Sequence, residues 1–156
     1  MVYRLNKEFK PNLNYNELKK LDKNGLTPNY LFNYICDIRK AKIPYPEEVG
    51  NAGSFFKNPK VKSEKLQELI MLNPEMPHYN FGDGFKLSAG WLIEKVGMRG
   101  VSLNSTSDAK VSDRHSLILT NQDMATGGEL VELSELIMKK VNDAFGVTLE
   151  REVNII

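Results

Sequence analysis

The stretch from Thr126 to Gly146 limits the fold of this chain more than any other. Leu130, Leu133, Leu136, Ile137, Val141 and Phe145 recur at helical spacing and fall on one side of a helix. Thr126 starts that helix and Gly146 ends it. A helix with one long apolar side must bury it against another layer. The chain has 156 residues, 41% of them apolar, which is enough for one domain with its own core.

The other elements are shorter. "NLNYNELKKLDKNG" predicts a short helix stopped by Gly25. Thr27 caps a second helix with Pro28 at its first position and a stripe of Leu31, Tyr34, Ile35 and Ile38. Ser63 is expected to cap a third, carrying Leu66, Leu69 and Ile70. "KLSAGWLIEKVG" predicts a fourth, closed by Gly97. "NPEMPHYNFGDG" reads as a turn-rich loop, and "GVSLN" and "HSLILTN" read as strands. Residues 2–9 suggest a short strand. The last ten residues, "VTLEREVNII", predict a closing strand with Glu152 on the side opposite Val153. Helices outnumber strands without strict alternation. The expected class is α+β, a small mostly antiparallel sheet packed with about five helices.

Charge excludes some functions. Lys and Arg number 21 against 20 Asp and Glu, so the whole molecule has no field that would draw nucleic acid or an anionic membrane. No window is long and apolar enough to span a bilayer, and "MVYRLNKEFK" lacks a signal-peptide core, which points to the cytoplasm. The single cysteine, Cys36, lies in the apolar run "YLFNYICDI" and reads as a buried thiol. With His78 and His115 the only histidines, no metal site is expected.

Chemistry concentrates in "GNAGSFFKNP", Gly50 to Pro59. Glycines permit positive φ and close ligand approach. Ser54 follows Gly53 directly, so its hydroxyl either faces a cleft or simply makes a turn. No GxSxG elbow or histidine partner marks it as a nucleophile. Lys42, Lys57 and Asn58 together suit an anion. Arg39 and Lys40 read as cations at a helix C-terminus. Tyr79, beside His78 and Phe81, reads equally as a lid over substrate or a surface aromatic. Trp91 reads as core.

In this order and spacing, "GNAGSFFKNP", "AGWLIE", "LILTN" and "LEREVNII" resemble the C-terminal part of the UDP-N-acetylenolpyruvoylglucosamine reductase family, across nearly the whole chain. "MPHYNFGDG" is similar to the form of that family with a substrate-covering tyrosine. The resemblance implies an NADPH- and FAD-dependent oxidoreductase of peptidoglycan precursor synthesis, whose substrate is the enolpyruvyl ether of UDP-N-acetylglucosamine. Ser54 then matches the proton donor. Glu152, the second glutamate of the L-E-x-E-V pattern, matches the catalytic carboxylate in preference to Glu150. Lys42, Asn58 and Tyr79 match residues that hold and cover the UDP diphosphate, and Lys86 and His115 match positions near the substrate. Asn154 stands where tyrosine-loop members often carry arginine, and the family's N-terminal catalytic arginine has no counterpart.

The resemblance also sets expectations about domains. The family's flavin-binding region precedes the matching segment. Residues 1–10 are therefore expected to be the end of that region, 11–146 the substrate-binding domain, and 147–156 a returning strand. The chain alone is expected neither to hold FAD nor to turn over NADPH. A stand-alone module binding a nucleotide-sugar or another anion, without redox activity, is the alternative. Glu152 separates the two, because a passive diphosphate binder gains nothing from a carboxylate facing an anion.

Overall fold

Thr27 and Pro28 start the first long helix. In a computed structural model, which describes residues 2, 4, 6–15 and 17–156, helix α1 runs from Pro28 to Lys42. The N–H of Tyr30 donates to Thr27 Oγ1 at 3.2 Å, and proline at the first position needs no donor. Arg39, Lys40 and Lys42 lie in the last turn, against the negative end of the helix dipole. Lys42 is the last residue of α1, and its ammonium pairs with Glu17. Leu31, Tyr34 and Ile38 are half-buried, but Ile35 is exposed and Cys36 is half-buried rather than buried.

The helix expected over residues 12–25 is only a 3-10 turn, Leu18–Lys20. Asn12 Oδ1 accepts the N–H of Asn14, and Asp22 Oδ1 accepts that of Asn24, both at 3.0 Å. Such side chains offer the backbone an alternative to helix. Of the strand expected over 2–9, Met1, Tyr3 and Leu5 border or fall in it outside the described residues, and no strand forms among the described ones. Residues Met1–Lys42 make one unit and Ile43–Ile156 a second.

The second unit carries strands β1 (Gly50–Ser54), β2 (Lys60–Val61), β3 (His78–Phe81), β4 (Gly84–Leu87), β5 (Ala109–Val111) and β6 (Ile118–Asn121). Its helices are α2 (Ser63–Leu72), α3 (Ala89–Lys95) and α4 (Gly127–Phe145). The strands form two three-stranded antiparallel sheets, ordered β1-β6-β5 and β2-β4-β3. The class is α+β, with four α-helices among the described residues.

Helix α4 follows the sequence pattern closely. Thr126 Oγ1 accepts the N–H of Glu129 at 3.2 Å while Glu129 Oε2 accepts that of Thr126 at 2.8 Å, a reciprocal cap. Gly146 ends the helix at φ 61°. Leu133, Ile137, Val141 and Phe145 are buried and join Phe55, Phe56, Leu92, Ile93 and Leu149 in one core. Trp91 packs against that core, 6.0 Å from the Phe145 ring.

Four expectations change. Ser63 is the first residue of α2, and Lys62 stands at its cap position without a side-chain cap. The turn-rich loop is a hairpin, with β3 and β4 joined by Gly82 and Asp83. Gly82 supplies the positive φ, 60°, that such a tight connection needs. Tyr79 therefore sits on a strand. In "GVSLN" only Ser102 pairs, by a single bridge to Lys110.

The closing segment is not a full strand either. It alternates, with Val147 and Leu149 buried and Thr148, Glu150 and Glu152 exposed, but it meets its partner only at the Phe56–Arg151 bridge. That partner soon reaches Pro59, which has no N–H to extend a ladder.

Candidate functional site

The serine loop is bolted in place by Asn51. Its Oδ1 accepts the N–H of Gly53 at 3.0 Å, and its Nδ2 donates to the carbonyls of Val49 at 2.8 Å and Pro44 at 3.1 Å. Gly53 adopts φ 73°, open to glycine at no steric cost. The β1–β6 register shifts between Asn51 and Ser54. Such a bulge re-aims the side chains that follow it. Ser54 comes out exposed, and the next two residues, Phe55 and Phe56, are both buried. The two phenylalanines anchor the loop in the core.

Phe55 and Lys57 then tie the loop to its surroundings. The Phe55 N–H donates to Leu117 O at 2.8 Å, and its carbonyl accepts the N–H of Glu152 at 2.9 Å. The Lys57 N–H donates to Glu150 O at 2.9 Å. Two backbone bonds thus lock residues 55–57 against 150–152. Lys57 from one segment and Glu150 and Glu152 from the other line a cleft of about 640 Å³.

Lys57, Asn58 and Lys60 line one part of that cleft, with Lys86, Glu150 and Glu152 around the rest. The Lys57 ammonium pairs with the Glu150 carboxylate. The hydrogen bond from Lys57 to Glu150, then the Glu150 charge, and lastly that of Glu152, hold the Lys57 pKa above the usual ammonium value. Glu150 is thereby occupied, whereas Glu152 has no ion-pair partner among the described residues.

Asn58 does structural work. Its Oδ1 accepts the N–H of Ala89 at 2.9 Å, and Ser88 Oγ accepts that of Trp91 at 3.3 Å, so two side chains cap α3. The amide nitrogen of Asn58 keeps its donor capacity.

The hairpin sheet adds a row of polar groups. Lys60 stands directly opposite Lys86, and Lys86 directly opposite Tyr79. Directly opposed residues of antiparallel strands share a face. Phe81 lies two residues from Tyr79 on that face, with the Lys86 ammonium 3.8 Å and the Lys60 ammonium 4.7 Å from its ring centroid. Lys60 escaped the sequence reading. The signal was its position immediately after "KNP", where the chain returns to extended structure beside the loop. A second depression of about 510 Å³ at the hairpin tip also borders Lys60, with none of the expected site residues in its lining.

Asn58, Lys86 and Glu152 thus line one cleft; Ser54 does not line it, and its loop reaches that cleft only through the Phe55 carbonyl that accepts the Glu152 N–H. Tyr79 joins by register with Lys86 but does not line the cleft. His115 lies in the turn before β6, where its Nδ1 accepts the N–H of Leu117 at 3.2 Å. Its ring lies next to Gly90, where an added Cβ would stand 3.3 Å from Cε1, and it too lies outside the cleft lining. Lys42 belongs to the N-terminal unit. Among the described residues, no three His, Cys, Asp or Glu side chains are grouped to hold a metal, and no helix is long and apolar enough to cross a membrane.

A family model for the C-terminal domain of UDP-N-acetylenolpyruvoylglucosamine reductase matches residues 44–156. The chain belongs to that family. Over 154 residues it is 42% identical to the UDP-N-acetylenolpyruvoylglucosamine reductase of Shewanella sediminis and 41% identical to that of Escherichia coli. Each comparison covers 98% of this chain and 44% of the relative. The enzyme of the same name in Buchnera aphidicola is 42% identical over 155 residues, 46% of its length. The chain therefore spans less than half of these reductases. The reductase C-terminal domain match contains Ser54, Asn58, Tyr79, Lys86, His115 and Glu152, and Lys42 lies just before it.

Proposed function

We propose that this chain is the substrate-binding and proton-donating domain of a flavoenzyme that reduces UDP-N-acetylglucosamine enolpyruvate to UDP-N-acetylmuramate for peptidoglycan synthesis in the cytoplasm. In this reading residues 11–146 bind the substrate, 147–156 bring Glu152 back to it, and 1–10 close the flavin-binding part of the whole protein. FAD and NADPH are the cofactors assigned to the whole protein, and a reduced flavin supplies the hydride when bound. The cleft walls are ammonium, carboxylate and amide groups, with no aromatic surface for a flavin ring to stack on. That donor set suits an anionic ligand and does not by itself make a flavin site.

The observation that carries this reading is the locking of residues 55–57 against 150–152 beside a lysine-lined cleft. Addition of hydride to the carbon β to the substrate carboxylate moves an electron pair through the α carbon into that carboxylate. The Ser54 hydroxyl then gives its proton to the α carbon. Its O–H bond breaks, a C–H bond forms, and the exposed alkoxide regains a proton from water. A hydroxyl is a weak acid, but an enolate-like carbon is basic enough to take its proton. Glu152 serves the same intermediate. Lys86, the Asn58 amide and Tyr79 are assigned to the diphosphate and its cover, together with Lys42, and His115 to the neighbourhood of the substrate.

The test is Ser54→Ala in the whole reductase. Flavin reduction by NADPH should stay near wild type, while the substrate half-reaction slows by about 10²-fold or more, as for loss of a positioned general acid. An equal fall in both half-reactions would remove serine from the proton-donor role.

A further inference from the structure

Lys60 and Lys86 present a physical conflict that the proposed function does not explain. Like charges directly opposite each other on antiparallel strands destabilise the pair. Here two ammoniums share one register position, and neither has a carboxylate within ion-pair distance among the described residues. Lys57, in the same cleft, is by contrast paired with Glu150. What holds Lys60 and Lys86 is the face of Phe81, with the two ammoniums 4.7 and 3.8 Å from its centroid. An exposed ring attracts a cation only modestly. It parks the two charges without neutralising them.

Both lysines also line the cleft that holds Asn58 and Glu152. We propose that Lys60 is a second cation of the ligand site, forming with Lys86 a two-ammonium clamp on a diphosphate group, with Phe81 as the rest that keeps both side chains extended when no anion is present. The inference rests on the nucleotide-sugar reading of the cleft and adds to it a residue that the resemblance does not assign. Each phosphate of a diphosphate carries charge, so two ammoniums on adjacent strands match it better than one. A monoanion needs only one of them.

The test is titration of the chain with inorganic pyrophosphate, for the wild type and for Lys60→Met, Lys86→Met and Lys139→Met. Methionine keeps the aliphatic reach over Phe81 and removes the charge. The expected result is a loss of about tenfold in pyrophosphate affinity for Lys60→Met and a similar loss for Lys86→Met, each a charge-assisted contact, with Lys139→Met, whose ammonium pairs with Asp143 and does not line the cleft, nearly neutral. Without ligand, Lys60→Met should melt at or above the wild-type temperature, because the repulsion is gone. Lys86→Met weakening while Lys60→Met binds like wild type would overturn the clamp and leave the cleft reading standing. No binding by wild type, or no change in either variant, would overturn both.

Discussion

The backbone N–H of Glu152 donates to the carbonyl of Phe55 at 2.9 Å, so the residue after Ser54 and the expected catalytic glutamate are fixed to each other by main chain. Main-chain pairing sets their separation whatever their side chains are. The roles of the two glutamates can therefore be tested without moving the loop. Glu152→Gln should slow the substrate half-reaction of the whole reductase by on the order of 10²-fold. Glu150→Gln only frees Lys57 from an exposed ion pair, and such pairs contribute little. Its effect on either half-reaction should be within a few-fold. Stopped-flow measurement of the two half-reactions decides, and the reverse ranking would move the catalytic role to Glu150.

Asn58 offers a separation of structure from binding. Its Oδ1 caps α3 at the Ala89 N–H, while its amide nitrogen is the group proposed to meet the ligand. Asn58→Ala should cost about 1 kcal/mol of stability, as lost caps do, and weaken ligand binding as well. Asn58→Asp keeps the acceptor but turns the donor into an anion. It should melt near wild type and bind a diphosphate poorly. If Asn58→Asp bound normally, the amide would have no part in the site.

How far the sequence could be read follows the range of the interactions involved. Helix α4 was legible because its six apolar residues and both ends lie within one local period. Thr27 was legible as a cap for the same reason. The β3–β4 hairpin was not, because Pro74 and Pro77 just before it and Gly82 within it make the stretch read as turns, and its strands are too short for alternation to show. Lys60 needed the register against Lys86, which no local pattern contains. Cys36 and Ile35 sit in an apolar run but on a helix that buries little. Resemblance alone selected Glu152 over Glu150; in the structure Glu150 is engaged by Lys57.

Acid should weaken the fold through several depressed carboxyls. Glu129 is held below its ordinary value of 4.5 first by the Thr126 backbone N–H and then by the Ser107 hydroxyl. Hydrogen bonds to Lys95 lower Glu75, and those to Lys110 lower Asp113. A folded pKa below the unfolded one gives stability that is complete above the unfolded value and lost as pH falls through the folded one. The melting temperature should therefore hold level above about pH 5 and drop below about pH 4 as these groups take up protons. Glu129→Gln should flatten part of that slope. Identical acid slopes for the variant and wild type would show that the α4 cap does not contribute.

Gly53 links backbone strain to the proposed chemistry. It sits at φ 73° with nothing within 4 Å of an added Cβ, so a side chain there meets no neighbour and only the backbone objects. Alanine in the left-handed region costs about 1–2 kcal/mol, and asparagine tolerates it better. Gly53→Ala should lower the unfolding free energy by about that amount, and Gly53→Asn by less. Relief of the strain by rotation would re-aim Ser54, the next residue, away from the substrate carbon. Gly53→Ala in the whole reductase should then slow the substrate half-reaction while flavin reduction stays unchanged, with Gly53→Asn between it and wild type. If both variants lost stability but kept the substrate half-reaction at the wild-type rate, the aim of Ser54 would not depend on this turn.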